Sequence, residues 1–139
     1  MKDLIFDTGL ITYNINGKCE LSFNPTDSAF VEKLFNAFDI LDKKQDAYKA
    51  EVEKTANKRE VFETARKMDE EMREIINDVF GFDICSALFG EMNVYALADG
   101  LPVWANLMLA IMDEVDTTFA REQKATNPRV SKYTKKYHK

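Results

Sequence analysis

Catalysis requires side chains that titrate, attack or bind a metal, and this chain places few of them usefully. The only histidine is His138, the penultimate residue of a basic segment that we expect to be too flexible to hold a general base in place. Cys19 falls in a predicted strand and Cys85 in a predicted short helix, and neither has a Cys or His at metal-ligand spacing. We therefore expect no catalytic histidine and two free, buried thiols in a reducing compartment.

The carboxylates offer one candidate chemistry. Glu71 and Glu74 have a Glu-x-x-Glu spacing, Asp78 follows one helical turn later, and Asp113 and Asp116 form a second pair downstream. All-α nucleotide pyrophosphohydrolases bind Mg²⁺ through carboxylates on facing helices. The second pair departs from the Glu-x-x-Asp pattern, and the first fits the solvated side of an amphipathic helix. This enzyme class remains an alternative only; we expect no enzyme, no metal and no cofactor, because the five glycines also stand singly rather than in a phosphate-binding loop.

The charge is distributed unevenly. The net charge is −5, yet residues 125–139 hold five of the 19 basic residues and none of the 24 acidic ones, so residues 1–124 carry −10. An acidic body repels phosphate backbones. The basic segment interleaves Tyr133 and Tyr137 with lysines, a pattern that can bind single-stranded nucleic acid. A flexible solvated tail, or one that folds onto an acidic neighbour, is the interpretation we prefer, and nucleic acid is an unfavoured partner.

Length and composition indicate one globular domain. The 139 residues, 45% hydrophobic and 31% charged, can bury a core. Lys2 and Asp3 precede only a short apolar run, which does not resemble a signal peptide, and the apolar stretches are too short to span a membrane. We expect a cytoplasmic protein.

The first 24 residues have the pattern of strands. Leu4, Ile5 and Phe6 form a short candidate strand, followed by a turn at residues 7–9. Residues 11–15 and 18–23 alternate apolar and polar side chains around Asn16-Gly17, a hairpin signal because both residues tolerate positive φ.

The register of this hairpin follows from its apolar side chains. A two-residue loop pairs Tyr13 with Glu20 and divides the apolar side chains between two faces. A three-residue loop at residues 15–17 pairs Tyr13 with Cys19 and Ile11 with Leu21, which brings them to one face. We favour the second register. The alternative is a sheet covered on both faces, for example by another subunit.

Two amphipathic helices follow. Thr26 or Asp27 can cap the first, and two apolar stripes with alternating spacings of three and four residues then run along the chain. The members of the first stripe are Val31, Leu34, Phe38, Leu41, Gln45, Tyr48 and Val52, and those of the second are Val61, Ala65, Met68, Met72, Ile75 and Val79. The stripes are out of phase, which favours a helical hairpin with its bend near Asn57. One long helix is the competing interpretation, because neither Gly nor Pro marks a break.

The remainder is predicted to be short helices and a final long one. Gly81 can end the second helix, Asp83 can cap a short helix that Gly90 closes, and Asn93 can cap a further short turn through residue 98 that Gly100 closes. Pro102 suits the first turn of the last helix, which residues 126–128 end.

Several apolar side chains are candidates for binding a partner. Stripes of this kind either pack on each other or leave a strip for another chain, and methionines can form adaptable binding surfaces. The candidate partner-binding residues are Phe38, Leu41, Tyr48, Val52, Met108 and Met112.

The first 40 residues also resemble a known group of proteins. The segment Ile11-Thr12-Tyr13-Asn14-Ile15-Asn16-Gly17-Lys18, with Leu21-Ser22-Phe23-Asn24-Pro25-Thr26-Asp27 and Phe30-Val31-Glu32-Lys33-Leu34, is similar to small proteins from tail gene clusters of phages and prophages of Gram-positive bacteria. Gly90 and residues 101–106 resemble them more loosely. The resemblance implies a tail assembly chaperone or minor tail component and no chemistry. Its implied partner is a tail protein, and its implied place is the cytoplasm of a bacterial host cell or, as a further option, the virion.

These observations predict an α+β fold. Residues 1–24 form a small antiparallel hairpin or meander, 27–80 a long helical hairpin, 83–124 short helices and a final helix, and 125–139 a basic flexible tail. The expected function is a non-enzymatic, phage-type protein-interaction role. A homo-oligomeric structural protein that assembles with itself is the alternative.

Overall fold

The computed structural model describes residues 1–55, 57–125 and 127–137, and it has the predicted α+β architecture. A two-stranded antiparallel hairpin precedes a mainly helical body that contains a long helical hairpin. In the part of the chain described, no helix is long and apolar enough to cross a membrane.

Strands β1 (Ile11–Ile15) and β2 (Cys19–Phe23) form the hairpin. Its loop is Asn16-Gly17-Lys18, with φ of 53° at Asn16 and 68° at Gly17, so Tyr13 lies opposite Leu21 and Ile15 opposite Cys19. The predicted pairing of Tyr13 with Cys19 was therefore wrong by two residues. Because side chains alternate with a period of two, an even shift leaves each on the same face. The prediction that the apolar side chains share one face is confirmed, since Leu21 and Phe23 are buried there.

Helices α1 (Ser28–Lys54) and α2 (Lys58–Phe80) are separate, which confirms the helical hairpin over one long helix. Asp27 caps α1 by accepting a 3.0 Å hydrogen bond from the Ala29 amide. Thr55 and Asn57 are both extended, and the Asn57 side chain accepts a 2.9 Å hydrogen bond from the Arg59 amide. A capping asparagine therefore starts a new helix here without help from Gly or Pro.

The predicted short helix is present as α3 (Ile84–Phe89), capped by Asp83 and closed by Gly90. Asn93 caps a turn as predicted, since its side chain accepts a 2.9 Å hydrogen bond from the Tyr95 amide, but the turn ends at Ala96 and its predicted extension through residue 98 was wrong. The chain instead forms a small ribbon of β3 (Leu97–Ala98) and β4 (Leu101–Pro102), because Asp99 and Gly100 both adopt the positive φ of a tight hairpin turn. Pro102 is the residue before the last long helix rather than part of its first turn.

Helix α4 (Val103–Lys124) lies against α1, and the hairpin contacts it through the Tyr13 hydroxyl, which donates to the Glu114 carboxylate at 3.1 Å. It is followed by α5 (Arg129–Tyr137), a helix that the sequence analysis did not predict and whose residues 129–136 are exposed. His138, which was predicted to lie in a flexible tail, falls outside the described residues.

One core joins the hairpin to the four helices α1 to α4. Its most deeply buried large side chains come from all four helices and from the segment between α3 and β3, and they are Trp104, Leu34, Leu41, Met72, Ile76, Ile84, Met108 and Val94.

The first ten residues, which we name the arm, are exposed throughout and form neither a helix nor a strand. The candidate strand at Leu4, Ile5 and Phe6 was therefore wrong. Its pattern has the apolar content of a strand, but no neighbouring strand pairs with it in the described chain.

Candidate protein-interaction site

The predicted partner-binding residues serve mainly the chain's own core. Leu41 and Met108 are fully buried, so a partner that binds the folded chain cannot reach them. Phe38 is half-buried against Trp104, with 5.7 Å between ring centroids. The stripe was identified correctly, but periodicity shows only that a helix face is apolar and not which chain covers it.

The remaining three candidates are half-buried. Tyr48 stacks on Tyr95 with 4.2 Å between ring centroids, and Val52 lies at the end of the same helix face. Met112 packs against the core from α4. These side chains leave part of their surface accessible, but they do not form an exposed strip.

The carboxylates of the enzyme alternative do not converge. Glu71 lies 3.4 Å from the Lys44 ammonium, while Glu74, Asp78, Asp113 and Asp116 are exposed. In the described ranges, no group of three or more His, Cys, Asp or Glu side chains could hold a metal ion. Neither thiol is paired with the other. Burial raises the pKa of the Cys85 thiol to about 12, which keeps it protonated and unreactive at neutral pH.

The most exposed large apolar side chain of the described residues 11–125 is that of Leu97, which lies on a loop whose hairpin was not predicted; Phe62 of α2, 61% exposed, comes next. This ribbon loop, residues 90–102, exposes Met92, Leu97 and Leu101, with 73% of Leu97 accessible. Leu97 lies opposite Pro102 and Leu101 opposite Ala98, so the two leucines point to opposite faces of the ribbon. The Asp99-Gly100 dipeptide is the signal that could have identified this hairpin.

Side chains of α2 hold the ribbon loop in place. The Arg73 guanidinium donates to the carbonyl oxygens of Gly90 at 2.8 Å and Met92 at 2.6 Å. Asp69 pairs with Arg73 at 3.0 Å and accepts a 2.8 Å hydrogen bond from the Val94 amide. The Arg73 and Asp69 side chains are only 15% and 16% exposed, so the bonds that Asp69 accepts from Arg73 and from the Val94 amide are partly shielded from water.

Further hydrogen bonds join the loop to α4 and α2. The Asn93 side-chain amide donates to the backbone carbonyl of Ala65 at 3.0 Å, and the Asn106 side-chain amide donates to that of Ala98 at 2.9 Å. A ribbon of two-residue strands is not stable alone. These contacts therefore keep its exposed leucines in one position.

The arm is the second exposed apolar feature. Leu4, Ile5 and Phe6 are 93%, 94% and 80% exposed. The later part of the arm, residues 7–9, is held by two hydrogen bonds. The Asn24 side-chain amide donates to the Thr8 carbonyl at 2.9 Å, and the Gly9 backbone amide donates to the Asp7 carboxylate at 2.8 Å. The arm is thus attached at a defined place but carries an uncovered apolar end.

The two features lie at opposite ends of α4. The ribbon loop contacts Asn106 near the helix start, whereas the residues before β1 share a surface cleft with Thr118 and Glu122 near its end. At 1.5 Å per residue, Asn106 and Thr118 are about 18 Å apart along the axis. A partner bound at one end therefore leaves the other accessible.

Comparison with protein-family models, with curated protein sequences and with solved structures finds no match to this chain.

Proposed function

We propose that this protein has a non-enzymatic role in assembly, in which it binds another protein through the ribbon loop. The observation that carries the proposal is the contrast between support and exposure in this loop. Its backbone is held by Arg73, Asp69 and Asn93, yet Met92 and Leu97 project into water. Exposed apolar side chains on a rigid support need little ordering when they bind, so more of their burial energy contributes to affinity.

The proposed partner is a tail protein of a phage or prophage, and the role is that of an assembly chaperone or minor tail component in the cytoplasm of a bacterial host. Support for this choice comes from the resemblance of the first 40 residues described above. The exposed Met92 in the same loop also suits a chaperone, because its flexible side chain adapts to different apolar surfaces.

A self-assembling structural protein is the second candidate function. The observation that favours it is the arm at the other end of α4, whose apolar residues are uncovered in the single chain. The magnesium pyrophosphohydrolase has less support, because Glu71 pairs with Lys44 rather than facing the Asp113 and Asp116 carboxylates as a shared metal site would require.

The test is a tagged pull-down from the native host with its prophages induced, followed by reconstitution with the purified protein that is recovered. We expect a tail protein, and we expect Leu97→Asp to weaken its binding by about tenfold or more, since a charge replaces a buried leucine at the contact. The Leu97 side chain is exposed, so the variant should fold normally.

Phe62→Asp is the matched control, because Phe62 is also an exposed apolar residue but lies on α2 between Arg59 and Arg66. Equal binding by the wild type and Leu97→Asp would overturn the ribbon loop as the binding site. Recovery of this chain alone, without a tail protein, would overturn the chaperone role and favour the self-assembling protein.

A further inference from the structure

The open edge of β1 borders a groove. β1 pairs with β2 on one side, and no strand of the described chain pairs with its other side. A cleft of about 230 Å³ lies there, lined by the consecutive residues 13–16 and by Leu107, Ala110 and Ile111 of α4. Consecutive strand residues point to opposite faces of a sheet, so a cleft on one face would be lined only by every second residue. This cleft is lined by all of residues 13–16, and we infer that the backbone edge of β1 forms one wall. Every second residue of such an edge presents an unused N–H and C=O.

The floor of this groove is mainly apolar, with one polar bridge from β1 to α4, in which the Tyr13 hydroxyl donates to the Glu114 carboxylate at 3.1 Å. Leu107 and Ile111 come from α4, and the inner faces of Leu21 and Phe23 complete it from β2. The small side chain of Ala110 is exposed and leaves space between the helix and the strand. The groove thus offers both requirements of strand addition, which are a backbone edge for hydrogen bonds and an apolar surface for alternate side chains.

The arm has the complementary features. Its backbone is neither helical nor paired, and Leu4, Ile5 and Phe6 supply three apolar side chains in succession. In an added strand, Leu4 and Phe6 would point to one face and Ile5 to the other. The face with two apolar side chains fits the floor on α4, and the face with one remains toward solvent.

We propose that the arm of one copy adds as a third strand to the β1 edge of a second copy, with Leu4 and Phe6 packed on α4. Both surfaces belong to the same chain and match in chemistry, so a second copy satisfies them without any other molecule. Two copies that exchange arms form a closed pair, and an arm passed onward in one direction forms a ring or filament.

The arm's attachment explains why it does not fill its own groove. Folding back onto its own β1 would require a sharp reversal within residues 7–10. The Asn24 side chain fixes that segment by donating to the Thr8 carbonyl. It also lies so close to Gly9 that a Cβ there would be 2.6 Å from its nitrogen. Gly9 has φ of +73°, a conformation that favours glycine, so the backbone of this segment is set beside Asn24.

This inference rests on the proposed protein-interaction role but not on the identity of a tail partner. It is tested on the purified full chain alone by analytical ultracentrifugation over a range of concentrations. We expect a reversible oligomer in the wild type and a monomer after deletion of residues 1–6. Phe6→Lys should raise the dissociation constant by about tenfold to a hundredfold, because it removes one large buried side chain from each contact.

Ile5→Lys is the matched control, since it introduces the same charge one residue away on the outward face and should change the constant little. Far-ultraviolet circular dichroism should be unchanged in both variants, because the arm is exposed in the single chain. A wild type that stays monomeric, or an oligomer unaffected by the deletion, would overturn the proposal. Equal weakening by both lysine variants would also overturn the assigned strand register.

Disulfide trapping identifies the groove directly. In a Cys19→Ser background, a Leu4→Cys chain mixed with an Ala110→Cys chain should form a mixed disulfide dimer on mild oxidation, because contacting residues bring their Cα atoms within about 7 Å. Asp116→Cys, an exposed position on another side of α4, should not form one. Equal crosslinking at both positions would contradict docking in this groove, even if the pull-down identifies a tail partner.

Discussion

The indole nitrogen of Trp104 donates a 3.0 Å hydrogen bond to the side-chain oxygen of Gln45, which joins α4 to α1 in the centre of the core. Gln45 is the polar member of an otherwise apolar stripe, and Trp104 is almost fully buried. A buried indole N–H without an acceptor would destabilise the fold, so the glutamine is required where the periodicity alone would favour a leucine.

Replacement of this glutamine tests that account. Gln45→Leu should lower the free energy of unfolding by about 1–3 kcal/mol, because it leaves the Trp104 N–H buried and unpaired. Chemical denaturation monitored by tryptophan fluorescence measures the change. Gln45→Glu keeps an acceptor in place and serves as the control, with a smaller loss. A leucine variant as stable as the wild type would show that the hydrogen bond contributes nothing.

Tyr95 gives the opposite prediction. Its ring stacks on Tyr48, but its buried hydroxyl has no hydrogen-bond partner among the residues described. Tyr95→Phe keeps the ring and removes an unsatisfied polar atom, so we expect the free energy of unfolding to stay within about 1 kcal/mol of the wild type or to increase. A loss well above that value would show that the hydroxyl has a partner.

The pH dependence provides a second check on Tyr95. Burial raises the pKa of Tyr95 above its ordinary value of 10.0. A folded-state pKa above the unfolded one means that the neutral tyrosine contributes stability which is complete below about pH 10 and is lost as the pH rises toward the folded-state pKa. Stability measured between pH 8 and about pH 11 should therefore fall more steeply in the wild type than in Tyr95→Phe. Equal slopes in the wild type and Tyr95→Phe would contradict the prediction.

The sequence predicts features of this fold that depend on local chemistry. Asp27, Asp83 and Gly81 marked helix ends correctly, because a cap is decided by one side chain and the amides or carbonyls beside it. The buried face of the hairpin was also predictable, because a register shifted by two residues keeps Leu21 on the same face.

Features that depend on distant contacts were not predictable in the same way. Nothing in the stripe distinguishes Leu41, covered by this chain, from a residue that another chain covers. The ribbon loop depends on Asp69 and Arg73, which lie more than 15 residues before it and look like ordinary surface charges on an amphipathic helix. The apolar run at residues 4–6 indicated a strand, but it is unpaired in the single chain, where Asn24 fixes the segment that joins it to β1.

The two thiols should differ strongly in reactivity. Cys85 is fully buried and its pKa is raised to about 12, whereas Cys19 is partly exposed on β2. A thiol reagent at pH 8 should modify one cysteine per chain quickly and the second only when the protein unfolds. Cys19→Ser should remove the fast phase and Cys85→Ser the slow one. Two fast phases in the native protein would show that the core around α3 opens readily.

The last prediction concerns Asp69, which supports the ribbon loop from α2. Asp69→Ala removes the acceptor of the Val94 amide and the partner of Arg73, and it leaves both groups in a site partly shielded from water. We expect the free energy of unfolding to fall by about 1–3 kcal/mol and hydrogen exchange at the Val94 amide to accelerate, because its only side-chain acceptor in the described chain is lost.

The matched control is Asp39→Ala, which removes an aspartate of the same spacing from a pair with Lys43 at the same distance of 3.0 Å. Those two side chains are 65% and 75% exposed, so water screens the pair and the expected change is below about 0.5 kcal/mol. If the two variants lose equal stability, burial is not what makes Asp69 important. If Asp69→Ala is destabilised but still binds a partner as the wild type does, the exposed leucines do not need a fixed ribbon to bind.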